Sequence, residues 1–371
     1  MIDLSKYNEI IIWGASFPPS EIIGNATSTG RAIEQLSEIL KKRCVWDRVI
    51  AIVDSNSSLH GKKRLGVNVM DPKIILDHPH ALIIINTISF VAVEAAMQQM
   101  NAHNDYAIVP HYFYHGTVDH PYVNEVAKED ILRNKGKILK LYDLTDEITK
   151  RYLNIIIDMR SSGIDKLYPA EYYSETGKGI EYFCDNDLSP LGNVSYIDVG
   201  AYDGNSIEPV IKYYKNRLSR IIAFEPDDNS RSQLRKYVEK NGLTNKTQVF
   251  SYALGDENKQ IRFSAAGQMG QVDANGDIVL EQRKFDDIKD ISVEGIPMVK
   301  MDIEGAEMGA LRGMEQFIKK FSPYLAICIY HKEHDLYEIA KYLKDINPSY
   351  RLFIRGGWHL ECWAVPERHF K

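Results

Sequence analysis

Six carboxylates and one histidine fall where an α/β chain keeps its chemistry. Asp198 and Asp203 flank a glycine loop, Asp198-Val199-Gly200-Ala201-Tyr202-Asp203-Gly204. Glu225 closes the next apolar run, IIAFEP, 21 residues after Gly204. Asp302, Glu304 and Glu307 lie together in KMDIEGAE, and His331 follows ICIY. Gly200 and Gly204 let the backbone approach a ligand closely. An acid at the end of a second strand accepts hydrogen bonds from ribose hydroxyls. Loop and acid together therefore predict a nucleoside-bearing cofactor. A pyrophosphate would need a positive helix N-terminus, and two loop acids would repel it. The glycine spacing is also GxxxG, not GxGxxG. The charge suits S-adenosylmethionine, which carries a sulfonium and an ammonium group and no phosphate. Asp198, Gly200, Ala201, Asp203, Gly204, Glu225 and Pro226 are the expected cofactor residues, with Ala253 and Leu254 beside the adenine. The competing reading is a plain glycine turn with capping acids, and an ordinary strand exit at 252–256.

Asp302 ends a strand beside that cleft. Acids opening the following helix offset its dipole, worth about 0.3–1 kcal/mol each. That accounts for Glu304 and Glu307 but not for Asp302, which has no cap to fill. Methyl transfer is an in-line displacement in which alignment is worth effective molarities of about 10⁵–10⁸ M. A hydroxyl acceptor also benefits from a general base. Asp302, His331 and Glu304 are the candidate catalytic residues, since Asp302 and His331 would end strands on one edge of the sheet. A structural hydrogen bond explains a strand-end histidine equally well. Asp302 and Glu304 could alternatively hold a divalent cation that orients two sugar hydroxyls.

Positioning these groups requires a parallel sheet. Apolar, β-branched runs at 194–199, 220–225, 247–253, 297–302 and 324–330 alternate with helical segments at 205–214, 229–241, 306–319 and 334–346. Such runs imply strands buried on both faces. The helix over 306–319 would put Met308, Leu311, Met314, Phe317 and Ile318 on one face. Strands at 351–355 and 358–365 around Gly356-Gly357 predict a closing antiparallel hairpin. The fold class is thus α/β, a doubly wound sheet with a C-terminal hairpin, over residues 186–371.

A smaller Rossmann-like α/β domain is expected over 1–112, with strands at 8–16, 49–54, 81–87 and 106–110 and helices at 27–40 and 89–100. Gly14 and Gly30 are split by the insert FPPSEIIGNATS, which breaks dinucleotide-loop spacing. Asp54 ends the second strand where an acid could hold a ribose; a turn or helix cap is the simpler role. Lys41-Lys42-Arg43 suits a helix C-terminus. Residues 113–185 read as a mostly helical connector. Its helix at 124–160 carries the stripe Ile131, Ile138, Leu141, Leu144 and Ile148, which docks on the next domain or forms a homodimer contact. His111, His115 and His120 are close in sequence, but no carboxylate or cysteine pattern supports a metal there.

Composition narrows the class. The 371 residues carry 45 basic and 51 acidic side chains, net −6, which argues against a nucleic-acid partner. The four cysteines form no CxxC pair, so no zinc ribbon or redox motif is indicated. Few cysteines and no signal-like leader predict a cytoplasmic protein. No apolar run nears the ~20 residues of a membrane span, leaving only peripheral membrane contact open.

YIDVGAYDGNS, IIAFEPD, ALGDE, KMDIEGAE and Glu361 in WHLECWAV occur in an order that resembles the FkbM-family methyltransferases. The resemblance spans about 194–366. It implies the class I methyltransferase sheet, S-adenosylmethionine bound by Asp198, Gly200, Gly204 and Glu225, adenine near Ala253 and Leu254, and a reaction centre at Asp302 and Glu304. It also implies O-methylation of a sugar hydroxyl on a bacterial surface glycan, or on its nucleotide- or lipid-linked precursor, as a step of polysaccharide biosynthesis. Two other classes compete. An NAD-dependent sugar-modifying oxidoreductase would use the N-terminal sheet, against which the broken glycine spacing counts. A non-catalytic glycan-binding scaffold would not need Asp198, Glu225 and Asp302 together.

Overall fold

The computed structural model describes residues 3–15, 32–87, 90–109, 125–162, 168–169, 182–184, 187–264, 271–272, 278–356 and 360–371. The chain divides into two compact units. One comprises Met1–Leu132 and Ile155–Lys178, the other Arg133–Asn154 and Gly179–Lys371. His111, His115, His120 and Gly30 lie outside the described residues.

The first unit contains β1 (Ile10–Trp13), α1 (Ala32–Lys42), β2 (Val49–Val53), β3 (Lys63–Arg64), β4 (Val67–Met70), β5 (Leu82–Ile85), α2 (Phe90–Gln99), β6 (Tyr106–Ile108) and β7 (Tyr168–Pro169). Its sheet runs β3-β4-β2-β1-β5-β6-β7. β1 lies parallel to β2 and to β5. All four residues of β1 and of β5 are buried, as covering on both faces requires. α1 adds Ile33, Leu36, Ile39 and Leu40 to that core. Asp54 accepts from the N–H of Ala15 and of Asn56, each at 2.9 Å, so both its oxygens hold turns, the simpler of its two expected roles.

The helical stretch is not one helix. α3 (Glu125–Leu141) and α4 (Glu147–Ser162) are separated by a turn. Asp143 accepts from Thr145 N–H at 2.9 Å, and Asp146 caps α4 through Thr149 N–H at 2.7 Å. These short acids offer the backbone local partners that compete with helical bonds. The expected stripe breaks accordingly: Ile131 and Ile138 are buried, whereas Leu144 and Ile148 are exposed.

The second unit contains β8 (Val194–Val199), α5 (Ile207–Tyr214), β9 (Leu218–Phe224), α6 (Asp228–Lys240), β10 (Thr247–Phe250), β11 (Ala253–Leu254), β12 (Lys259–Ser264), β13 (Gln271–Val272), β14 (Ile278–Arg283), β15 (Ile296–Met301), α7 (Glu307–Gly313), α8 (Glu315–Phe321), β16 (Tyr324–Cys328), α9 (Asp335–Ile346), β17 (Arg351–Arg355) and β18 (Glu361–Val365). The main sheet runs β10-β9-β8-β15-β16-β18-β17. β18 is antiparallel to both β16 and β17, and the other pairings are parallel. This is a doubly wound sheet, with its strand order reversing between β8 and β15. Helical spacing sets the packing: α5 buries Ile207, Val210 and Tyr214, and α9 buries Leu336, Ile339, Ala340 and Leu343.

Two features depart from the sequence expectation. The helix over 306–319 is split at Met314, because Asp286 accepts from the N–H groups of Gln316 and Phe317, each at 2.9 Å, and so starts α8 afresh. Leu311, Met314, Phe317 and Ile318 are still buried, while Met308 is half-buried. A second sheet, β11-β14-β12-β13, was not expected. It takes Ala253 and Leu254 out of the third main strand and pairs them with Gln282 and Arg283.

Arg355, 3% exposed, ties the closing strands to the start of α4. It donates to Asp146 Oδ1 at 3.1 Å and Oδ2 at 2.7 Å, and to Thr149 Oγ1 at 3.2 Å. Burial raises the Asp146 carboxyl, but Arg355 and the Thr149 N–H outweigh it and hold it below the ordinary aspartate range. A depressed folded value adds stability above the unfolded one, and this is lost as pH falls through the folded value. Asp146→Asn keeps the cap oxygen and loses the charge. Its stability deficit relative to wild type, read from urea unfolding, is expected at pH 7 and should shrink below about pH 3.8. A deficit independent of pH would show that the charge on Asp146 adds nothing.

Candidate active site

The candidate site forms where β8 and β15 end side by side. Asp302 N–H donates to Val199 O at 3.1 Å, which ties the turn after β15 to the end of β8. Gly200, at φ +85°, touches that turn directly: a Cβ there would lie 2.0 Å from Asp302 O. Only glycine allows both that backbone angle and that approach. The loop continues through Tyr202 at φ 48° and Gly204 at φ 94° before α5 begins.

Beneath the loop lies a buried ion pair. Asp198 is fully buried; Lys300 Nζ stands 3.1 Å from its Oδ1, and Ser206 Oγ donates to its Oδ2 at 2.5 Å. Lys300 Nζ also donates to Gly200 O at 2.6 Å. Burial pulls the Lys300 ammonium down, but Asp198 and Asp302 push it up to about 12. The expectation that Asp198 shows negative charge to a ligand is therefore corrected. Its charge is taken by Lys300, and the pair holds the loop from below. Asp203 is half-buried, and its Oδ1 accepts from Asn205 N–H at 3.1 Å. Ala201 is buried, and Pro226 is half-buried.

Glu225, 7% exposed, accepts from Tyr202 N–H at 2.8 Å and from Asp227 N–H at 2.9 Å, one amide to each oxygen. Burial pushes its carboxyl up, while those two amides pull it back. Each carboxylate oxygen has a second lone pair for a hydroxyl donor. Ala253 is half-buried and Leu254 is buried in β11, which belongs to the small sheet.

The turn Asp302–Ala306 carries the acids. Glu304 adopts φ 53° and Gly305 φ 92°, a left-handed pair that is uncommon for glutamate. Glu307 is 1% exposed, and its Oε1 accepts from Ile303 N–H at 3.0 Å and from Gly305 N–H at 3.4 Å. It thus braces the turn, a role that its position in the first helical turn did not reveal. His331 brings the cluster together. Its Nδ1 lies 2.9 Å from Glu307 Oε1, and its Nε2 lies 3.4 Å from Asp302 Oδ1 and 3.5 Å from Glu304 Oε2. Burial pulls the imidazole down, but the carboxylates of Glu307, Asp302 and Glu304 prevail and push it up to about 9. Tyr330 donates to Asp302 Oδ1 at 3.2 Å. Sequence reasoning read Glu307 as a helix-dipole acid and gave no role to Lys300 or Tyr330; Lys300 stood inside the quoted KMDIEGAE motif, and Tyr330 next to His331.

Residues 198–351 match the family profile described as the methyltransferase FkbM domain. The chain is 24% identical to the 2-O-methyltransferase NoeI of Sinorhizobium fredii, over 43% of this chain and 74% of that protein. The crystal structure of methyltransferase FkbM from Methylobacillus flagellatus KT superposes with a TM-score of 0.58 at 18% identity, covering 97% of this chain and 90% of that one. The latter is a likeness of fold.

Proposed function

We propose, for a chain whose residues 198–351 match the profile of the methyltransferase FkbM domain, that it is an S-adenosylmethionine-dependent O-methyltransferase acting on a sugar hydroxyl of a glycan or glycan precursor. The observation that carries this reading is the contact between Gly200 and Asp302 O. It places a cofactor-type loop and a cluster of proton-accepting groups against one another.

The residues fit the cofactor. Glu225 offers two carboxylate oxygens to ribose hydroxyls, Gly200 lets the turn at Asp302 pack directly against the loop, and the Asp198–Lys300 pair fixes the loop. When bound, S-adenosylmethionine supplies an electrophilic methyl carbon on a sulfonium. The chain's own task is to orient the hydroxyl and receive its proton. Asp302 is the base in this reading, because the imidazole of His331 is held protonated among three carboxylates at neutral pH. His331 and Glu304 position Asp302 and the acceptor. O-direction is supported by the relative whose name specifies 2-O-methyl transfer.

Glu225→Ala is expected to weaken cofactor binding by about 1.5–3 kcal/mol, the range for hydrogen bonds to a charged group, or roughly 10–100-fold. Calorimetric titration with S-adenosylmethionine checks this; an unchanged affinity would place the ribose elsewhere. The function itself is tested by incubating the protein with labelled S-adenosylmethionine and glycan fractions, followed by mass spectrometry. A one-methyl increment on a sugar oxygen is expected. Transfer only to nitrogen, or tight NAD binding with none of S-adenosylmethionine, would overturn the reading.

A further inference from the structure

His331 is placed unlike a simple base. Its side chain is 7% exposed, and both its ring nitrogens are buried without a well-aligned hydrogen bond. Nε2 nevertheless faces two carboxylate oxygens, at 3.4 Å and 3.5 Å. Those separations are long for charge-assisted hydrogen bonds, which favour about 2.7–2.9 Å. They lie at or just above the spacing of donors around a shared cation. Two ligands each about 2.1 Å from a metal stand roughly 3.0–3.4 Å apart, from octahedral to tetrahedral angles.

The far side of the ring supports the same reading. Metal-binding histidines are oriented by a carboxylate on the other ring nitrogen. Glu307 Oε1 stands 2.9 Å from Nδ1 and is itself held by Ile303 N–H and Gly305 N–H, amides of the turn that carries Asp302 and Glu304. One braced carboxylate thus fixes the ring and the turn together. Donor atoms of Asp302, Glu304 and His331 all lie within 4.8 Å of one another.

We propose that Asp302, Glu304 and His331 hold a divalent first-row transition-metal ion. Resting on the methyltransferase reading above, this deepens it. Two carboxylate oxygens and one imidazole nitrogen suit Mn²⁺ or Zn²⁺ better than Mg²⁺ or Ca²⁺, which favour oxygen alone. Three protein ligands leave positions for two neighbouring hydroxyls of a sugar, so the ion would select acceptors carrying a vicinal diol. Asp302 Oδ1 faces the ion, and the second oxygen of the same carboxylate receives the hydroxyl proton. With the ion bound, Nε2 is taken up by the metal and the imidazole keeps its proton on Nδ1, toward Glu307, so His331 is again no base and Asp302 keeps that role.

The test uses the full chain stripped by a chelator and titrated with Mn²⁺, followed by calorimetry and electron paramagnetic resonance. Binding at one equivalent is expected, with a nitrogen coupling in the pulsed spectrum that disappears in His331→Gln. Glu304→Gln is expected to weaken Mn²⁺ binding at least tenfold. Glu307→Gln, at a positioning residue, is expected to weaken it by about 10–100-fold. Circular dichroism and cofactor titration of each variant separate these losses from misfolding. Mn²⁺ binding without a nitrogen coupling, binding unchanged in Glu304→Gln, or no binding at all would overturn the proposal. Methyl transfer that persists in chelator would remove the metal and leave the methyltransferase reading intact. Mn²⁺ bound as described, with no methyl transfer to any hydroxyl, would do the reverse.

Discussion

Lys300→Met is expected to destabilise the protein by about 3–5 kcal/mol, the range for removing one partner of a buried ion pair. Lys300 is 3% exposed and Asp198 fully buried. Methionine would fill most of the volume but leave the Asp198 charge facing Ser206 Oγ alone. The same substitution removes the donor to Gly200 O, 2.6 Å away, so cofactor affinity should fall with stability. Urea unfolding measures the first effect and titration with S-adenosylmethionine the second. Adding Asp198→Asn to Lys300→Met should restore part of the stability, because the unpaired charge is then gone. A single variant as stable as wild type would mean that the pair contributes no more than packing.

Asp302→Asn is expected to lower methyl transfer by about 10²–10⁴-fold, the usual contribution of a general base, while cofactor affinity stays within a few-fold. The amide keeps the size of the side chain and its contact with Tyr330 Oη, 3.2 Å away in wild type, but cannot take a proton from a hydroxyl. Rate and cofactor affinity must be measured together. A collapse of affinity would make Asp302 a cofactor ligand. Near-normal turnover would move the base elsewhere in the cluster.

The main architecture was legible because buried parallel strands leave a strong mark. VSYIDV, RIIAFE and YLAICI are mostly apolar, β-branched runs, and each lies in a strand as its pattern implies. Glycine and acid spacing likewise marked the loop and Glu225, since backbone angle and strand-end position restrict residue type locally. The small sheet was not legible. Lys259–Ser264 (KQIRFS) and Ile278–Arg283 (IVLEQR) carry neither a long apolar run nor a sustained alternation, and their pairing is with each other, not with the main sheet. The breaks at Met314 and after Leu141 were hidden for different reasons. The first depends on Asp286, some 30 residues away in sequence; the second depends on which of several acids win a local competition with the helix.

By itself, the sequence determined that residues 198–204 turn on glycine, that Glu225 ends the next strand, and that three acids gather after Lys300. It could not decide where those charges point. Asp198 and Asp203 looked equivalent in the loop, yet tertiary packing turned Asp198 inward onto Lys300 and left Asp203 half-buried. Glu304 and Glu307 looked like a pair of helix-dipole acids, yet His331, from the end of another strand, set one against each of its ring nitrogens. The physical reason is common to both. Charge orientation is fixed by the lowest-energy set of partners in a buried space, and those partners come from strands far apart in the chain.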